Sequence, residues 1–194
     1  MKNKDDIMTA HEGLAAMYEF WNPIWERTRC GGIGLTAGDM TLTYDYDGGT
    51  YTFDQAAWYD WLACVMIAKT GKTNTVRWRD DNVKYDRNPS VDKPWVIVDY
   101  KPMDDDKTTL TAKEAFAAMC NFWDEAGERM ESVEIQRVLK EIDLQDDDTT
   151  ANAELWEQWL SCVEKAKAGQ VDNTFKLYPK KKSKWNWKFW GHKT

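Results

Sequence analysis

Residues 8–21, MTAHEGLAAMYEFW, return at residues 110–123 as LTAKEAFAAMCNFW, with eight of fourteen positions identical at a constant offset of 102. The register persists beyond that block. Glu26-Arg27 match Glu128-Arg129, Ile33 matches Ile135, and Leu42 matches Leu144. After a four-residue deletion it resumes at an offset of 98, where Trp58, Trp61, Leu62, Cys64 and Val65 match Trp156, Trp159, Leu160, Cys162 and Val163. Ala68-Lys69-Thr70-Gly71 then answers to Ala166-Lys167-Ala168-Gly169. Such self-similarity reads as a tandem duplication of one unit of about 90–100 residues. The expected units are residues 1–107 and 108–194. Repeated units more often build a broad binding surface than a single catalytic pocket.

Each unit opens with a helix signal. Thr9-x-x-Glu12 and Thr111-x-x-Glu114 have the form of capping boxes, in which Thr accepts from a first-turn amide and Glu reaches back to the cap. Behind them Leu14, Met17, Trp21 and Ile24, or Phe116, Met119 and Trp123, fall at the spacing of one buried helical face. Pro23 lies inside the first pattern and should kink or end that helix unless a new turn begins there. Val133–Leu144 has both the period and the propensity of a second helix. Its counterpart, Gly31–Leu42, is rich in glycine and is read as helical by analogy with its twin. Asp54 and Asn152 are expected to cap a third helix carrying the Trp-rich stripe, with Gly71 and Gly169 where a C-terminal cap belongs. Between the second and third helices, Asp47-Gly48-Gly49 is a turn signal flanked by Tyr and Thr, the pattern of a small hairpin. Further strands are expected at Thr75–Trp78 and Pro94–Tyr100, and at Thr174–Leu177 and Trp185–Phe189, where the alternative is a disordered basic arm over residues 178–194. The fold class is therefore α+β, mainly α, with each repeat about three helices plus a short β-hairpin.

Twelve Trp among 194 residues can fill most of the two cores, since each buries roughly 150–250 Å². Any that remain exposed would be anchors for a partner. The four cysteines, Cys30, Cys64, Cys120 and Cys162, lack CxxC spacing and read as packed free thiols of a reducing compartment. The N-terminal MKNKDDIMTAHEGL has no apolar core of a signal peptide. No stretch approaches the ~20 apolar residues of a membrane span. A soluble, cytoplasmic protein with no membrane association is expected.

Charge is divided unevenly. From Val171 onward seven Lys face one Asp, so the last 24 residues carry +6 of a net −7 and the first 170 carry −13. An acidic body repels nucleic acid and suits a basic protein surface. No HExxH, GxSxG, P-loop or GxGxxG is present. Gly31-Gly32-Ile33-Gly34 lacks the Lys-Ser/Thr of a phosphate loop, and its twin, Val133–Gln136, has no glycine. The two His, His11 and His192, lie in no motif. An EF-hand frame starting at Asp143 and ending at Glu154 matches in part, but the first-copy frame, Thr43 to Asp54, is out of register with it. No metal, cofactor or catalytic residue is expected.

In type, the chain resembles small acidic proteins that occlude a partner, such as immunity proteins against nuclease toxins and phage anti-defence proteins such as anti-CRISPRs. That resemblance rests on size, acidity, aromatic content, duplication and the lack of a catalytic signature. It implies a non-enzymatic inhibitor of a basic, nucleic-acid-handling protein, acting by occlusion or nucleic-acid mimicry. Asp45, Asp47, Asp146, Asp147 and Asp148 would mimic phosphate charge, with Tyr44, Tyr46 and Tyr51 as anchors. The alternative is a nucleic-acid-binding module in the C-terminal segment, where Lys180, Lys181, Lys182, Lys184 and Lys188 interleave with aromatics such as Trp187.

Overall fold

Among the described residues the fold is mainly helical with two small antiparallel sheets, an α+β class dominated by helix. A computed structural model describes residues 6–44, 48–71 and 101–173. In chain order the elements are β1 (Ile7–Thr9), α1 (Ala10–Thr28), α2 (Gly31–Asp39), β2 (Leu42–Tyr44), β3 (Thr50–Thr52) and α3 (Gln55–Lys69). A single 3-10 turn (Met103–Asp105) leads into β4 (Thr109–Thr111), α4 (Ala112–Arg129), α5 (Val133–Ile142) and α6 (Ala153–Lys167).

Local chemistry accounts for the helix starts. Thr9 Oγ1 accepts from Glu12 N at 3.1 Å while Thr9 N donates to Glu12 Oε2 at 2.7 Å. Thr111 and Glu114 repeat the box at 3.2 and 2.7 Å. Each such cap is worth about 0.5–2 kcal/mol. Asp54 caps α3 by accepting from Ala56 N at 2.9 Å, and Asn152 caps α6 by accepting from Glu154 N at 3.0 Å. Gly71 and Gly169 follow α3 and α6 at φ +66° and +64°, the left-handed conformation that glycine adopts without strain.

Three outcomes differ from the sequence reading. Helix α1 does not end at Pro23 but runs on to Thr28. Phe20, Trp21 and Ile24 on either side of the proline are all buried, so core packing holds both flanks helical while Pro23 itself faces solvent. Helices α2 and α5 stop at Asp39 and Ile142 rather than at Leu42 and Leu144. In each half the leucine leaves the helix to pair: Leu42 with Thr52 in β2–β3, Leu144 with Thr150 in a lone bridge. Third, β1 and β4 were not foreseen. Among the described residues they pair with each other, Met8 opposite Leu110, across 102 positions of sequence. The strands expected at Thr75–Trp78, Pro94–Tyr100, Thr174–Leu177 and Trp185–Phe189 lie outside the described residues.

One hydrophobic core runs through both halves. Helix α3 packs along α4, and α6 packs along α1. The third helix of each half therefore covers the first helix of the other. Several sequence-equivalent groups make matching contacts. Ala10 N donates to Thr108 O at 2.8 Å, and Ala112 N donates to Asp6 O at 3.0 Å. Trp61 Nε1 donates to Ala10 O, and Trp159 Nε1 to Ala112 O, both at 2.9 Å and both buried. Trp21 stacks directly on its own counterpart Trp123, with ring centroids 3.9 Å apart and planes 15° from parallel. Among the seven described Trp, Trp21, Trp58, Trp61, Trp123 and Trp159 are buried, and Trp25 and Trp156 are partly so. Cys64, Cys120 and Cys162 are buried free thiols, and Cys30 is a partly buried one.

Candidate functional site

The β2–β3 hairpin carries most of the described aromatic candidates. Register places Tyr44 opposite Thr50 and Thr43 opposite Tyr51. Exposure rises along this three-residue strand toward its end: Leu42 is buried, Thr43 half-buried and Tyr44 62% exposed. Tyr51 is half-buried. Phe53, just past β3, is 55% exposed, and its amide is held by Thr41 O at 2.7 Å. Gly48 permits the hairpin turn with φ +83°. Asp45, Tyr46 and Asp47 lie outside the described residues.

Carboxylates border this hairpin. At one end Asp104 Oδ2 accepts from Thr50 N at 3.3 Å, because the 3-10 turn packs against β3. At the other, Asp54 N donates to Asp39 O at 3.2 Å, which brings the α2 C-terminus against the α3 N-terminus. Burial raises the Asp39 carboxyl above the usual carboxylate range. The charge of Asp54 adds to this, and the guanidinium of Arg129 opposes it. Arg129 in turn pairs with Asp60 at 3.3 Å. Two exposed aromatic side chains therefore stand between acidic groups. Such an arrangement offers desolvated contact area inside a rim of negative charge.

Asp146, Asp147 and Asp148 occupy the equivalent connection of the second half, between α5 and α6. Its hydrogen bonds fold the loop on itself: Gln145 N donates to Thr149 O at 2.7 Å, Asp148 N to Gln145 O at 3.0 Å, and Thr149 N to Asp147 Oδ1 at 3.2 Å. Thr150 Oγ1 donates to Ile142 O beneath it. The loop is a compact acidic turn without the aromatics of its twin. Lys180, Lys181, Lys182, Lys184, Trp187 and Lys188 lie outside the described residues.

Sequence reasoning missed Asp39, Asp54 and Asp104 as neighbours of the hairpin. Asp54 carried a cap signal that explained it fully, and only tertiary packing brings the three together. Among the described residues, no three His, Cys, Asp or Glu side chains converge as metal ligands. Burial, then Glu125 and Asp60, push the Cys64 thiol far above its ordinary range, leaving it protonated and inert. Among the described residues, no helix is long and apolar enough to cross a membrane. The chain matches no protein-family model, and comparison with curated proteins and with solved structures returns no match.

Proposed function

We propose that this is a non-enzymatic acidic binding protein that inhibits a basic, nucleic-acid-handling protein by covering its nucleic-acid surface. It would act in the cytoplasm, in the manner of an immunity protein against a nuclease or of a phage anti-defence protein such as an anti-CRISPR. The observation that supports the reading is the hairpin edge, where exposed Tyr44 and Phe53 stand between Asp104 on one side and Asp39 and Asp54 on the other. A basic cleft built for phosphates would meet carboxylates there and bury the aromatics. The reciprocal contacts of the core further support a tandem duplication, with units 1–107 and 108–194 that face each other and exchange their third helices. On this reading the two acidic connections have diverged, one keeping aromatic anchors and the other only charge.

The test is a nuclease inhibition assay. The full chain is titrated into cleavage reactions of basic nucleases, both toxin and CRISPR effector types, at low and high salt. Stoichiometric loss of cleavage by one of them is expected, weakening by about an order of magnitude or more as salt screens the acidic rim. Tyr44→Ala with Phe53→Ala should abolish inhibition while leaving thermal stability unchanged. Full cleavage by the whole panel at every salt concentration would sink the proposal.

A further inference from the structure

We propose that the cleft between α1, α5 and α6 binds a small organic anion: a single carboxylate carried on an apolar body, with Arg27 as its counter-charge. The cleft has a volume of about 350 Å³, within the range of small-molecule sites. Its floor is apolar. Phe20, Ile24, Val138 and Ile142 are buried there, and Leu155 is half-buried. Its exposed rim carries Arg27, Asn152, Gln158 and Glu141.

The other half of the molecule reveals what an arginine at this place requires. Arg129, the counterpart of Arg27, holds Asp60 at 3.3 Å and acts electrostatically on Asp39, which lies beside Asp54. At the cleft the residue equivalent to Asp60 is Gln158, and the one equivalent to Asp54 is Asn152. An amide side chain stands in place of each carboxylate. Among the described residues Arg27 makes no ion pair. The Oδ1 of Asn152 already accepts from Glu154 N at 3.0 Å and Leu155 N at 3.3 Å, so its NH2 remains as the donor. A guanidinium and two amides thus line the rim of one cleft, with no carboxylate where the twin has Asp60. A ligand carboxylate would restore that charge-assisted pairing.

The lining changed in step. Ile24, Val138 and Leu155 stand where the other half has Ala126, Thr36 and Ala57, so the cleft gained apolar surface as it lost anions. Carboxylate loss alone would suit any anion. The apolar gain selects one with a hydrocarbon body. Glu141, the counterpart of Asp39, keeps one negative charge on the rim and disfavours a second anionic group on the ligand.

Calorimetric titration of the full chain with 3-phenylpropanoate tests the inference, with succinate and 2-phenylethylamine as comparisons. Saturable one-to-one binding of 3-phenylpropanoate is expected, with succinate and the amine at least about tenfold weaker. Arg27→Gln, an exposed change, should weaken binding about tenfold or more, as loss of a charged hydrogen-bonding partner does. Glu141→Gln should tighten it severalfold, and Arg129→Gln should leave it unchanged. No heat with 3-phenylpropanoate, equal binding of the amine, or binding indifferent to Arg27→Gln would each overturn the assignment. None of these readouts depends on a protein partner, so the cleft and the hairpin edge stand or fall separately.

Discussion

The contact between α1 and α2 and the equivalent contact between α4 and α5 are built from opposite choices. In the first half Trp25 on α1 lies over Gly34 on α2, where an added Cβ would meet Trp25 Nε1 at 2.5 Å. In the second half the equivalent of Trp25 is Gly127, and the equivalent of Gly34 is Gln136. There a Cβ on Gly127 would meet Ile135 Cγ2 at 2.8 Å and Gln136 Nε2 at 2.9 Å. Large over small has become small under large. Close packing constrains the volume summed across a contact, not the residue at one position. This also accounts for Gly34 without a phosphate loop: it is the seat of Trp25.

The comparison can be broken most sharply at the buried tryptophans that the halves share. Trp61→Ala and Trp159→Ala should each cost about 3–5 kcal/mol in chemical denaturation, because each empties a core site and removes a buried indole donor. A large inequality between the two would mean that the reciprocal contacts are not energetically equivalent.

The next effect in size belongs to the glycine seats. Gly34→Ala and Gly127→Ala should each destabilise by about 1–3 kcal/mol through overpacking. Shortening the partner, as in Gly34→Ala with Trp25→Leu, should recover most of that loss. Gly38 has nothing within 4 Å of an added Cβ, so Gly38→Ala should instead stabilise by up to about 1 kcal/mol. Thermal melts of the set would show whether steric fit or glycine flexibility governs α2.

A smaller difference separates two kinds of buried tryptophan. Trp61 Nε1 has its acceptor, whereas Trp21 Nε1 and Trp123 Nε1 are buried without one. Phenylalanine at Trp21 or Trp123 removes an unsatisfied donor, and at Trp61 it removes a hydrogen bond. Trp61→Phe should therefore cost about 1–2 kcal/mol more than Trp21→Phe.

The smallest effect distinguishes the carboxylate cluster around Arg129 from the cleft. The Asp39 carboxyl is raised in the fold, so its ionised form is less favourable folded than unfolded. That cost is present in full above the raised value and disappears as pH falls below the unfolded one. Asp39→Asn should raise the melting temperature slightly at pH 7, with the gain shrinking toward pH 3. A gain that grows on acidification would reverse the assigned sign.

Much of the helical frame was legible from local chemistry. Capping boxes at Thr9 and Thr111, caps at Asp54 and Asn152, and positive-φ glycines at Gly71 and Gly169 each satisfy groups a few residues away, so sequence spacing suffices to find them. The small hairpin was legible for the same reason. The exposure of Tyr44 was not legible from strand alternation, because Leu42 shares its face and is buried; it comes from the place of Tyr44 at the end of β2. What local reading could not reach was the pairing of β1 with β4, since three-residue strands carry no signal without their partner. Nor could it reach the acidic border of the hairpin, where Asp39 ends α2, Asp54 caps α3 and Asp104 lies in the 3-10 turn.

The sequence alone determined the internal self-similarity and the starts of the capped helices, because spacing and capping act over one or two turns. Tertiary structure alone decided that α3 covers α4 and α6 covers α1, that Trp21 stacks on Trp123, and that Pro23 sits within a continuous helix. Those outcomes rest on burial of one shared apolar core, and its energy depends on which faces meet across the chain rather than on which residues are neighbours along it.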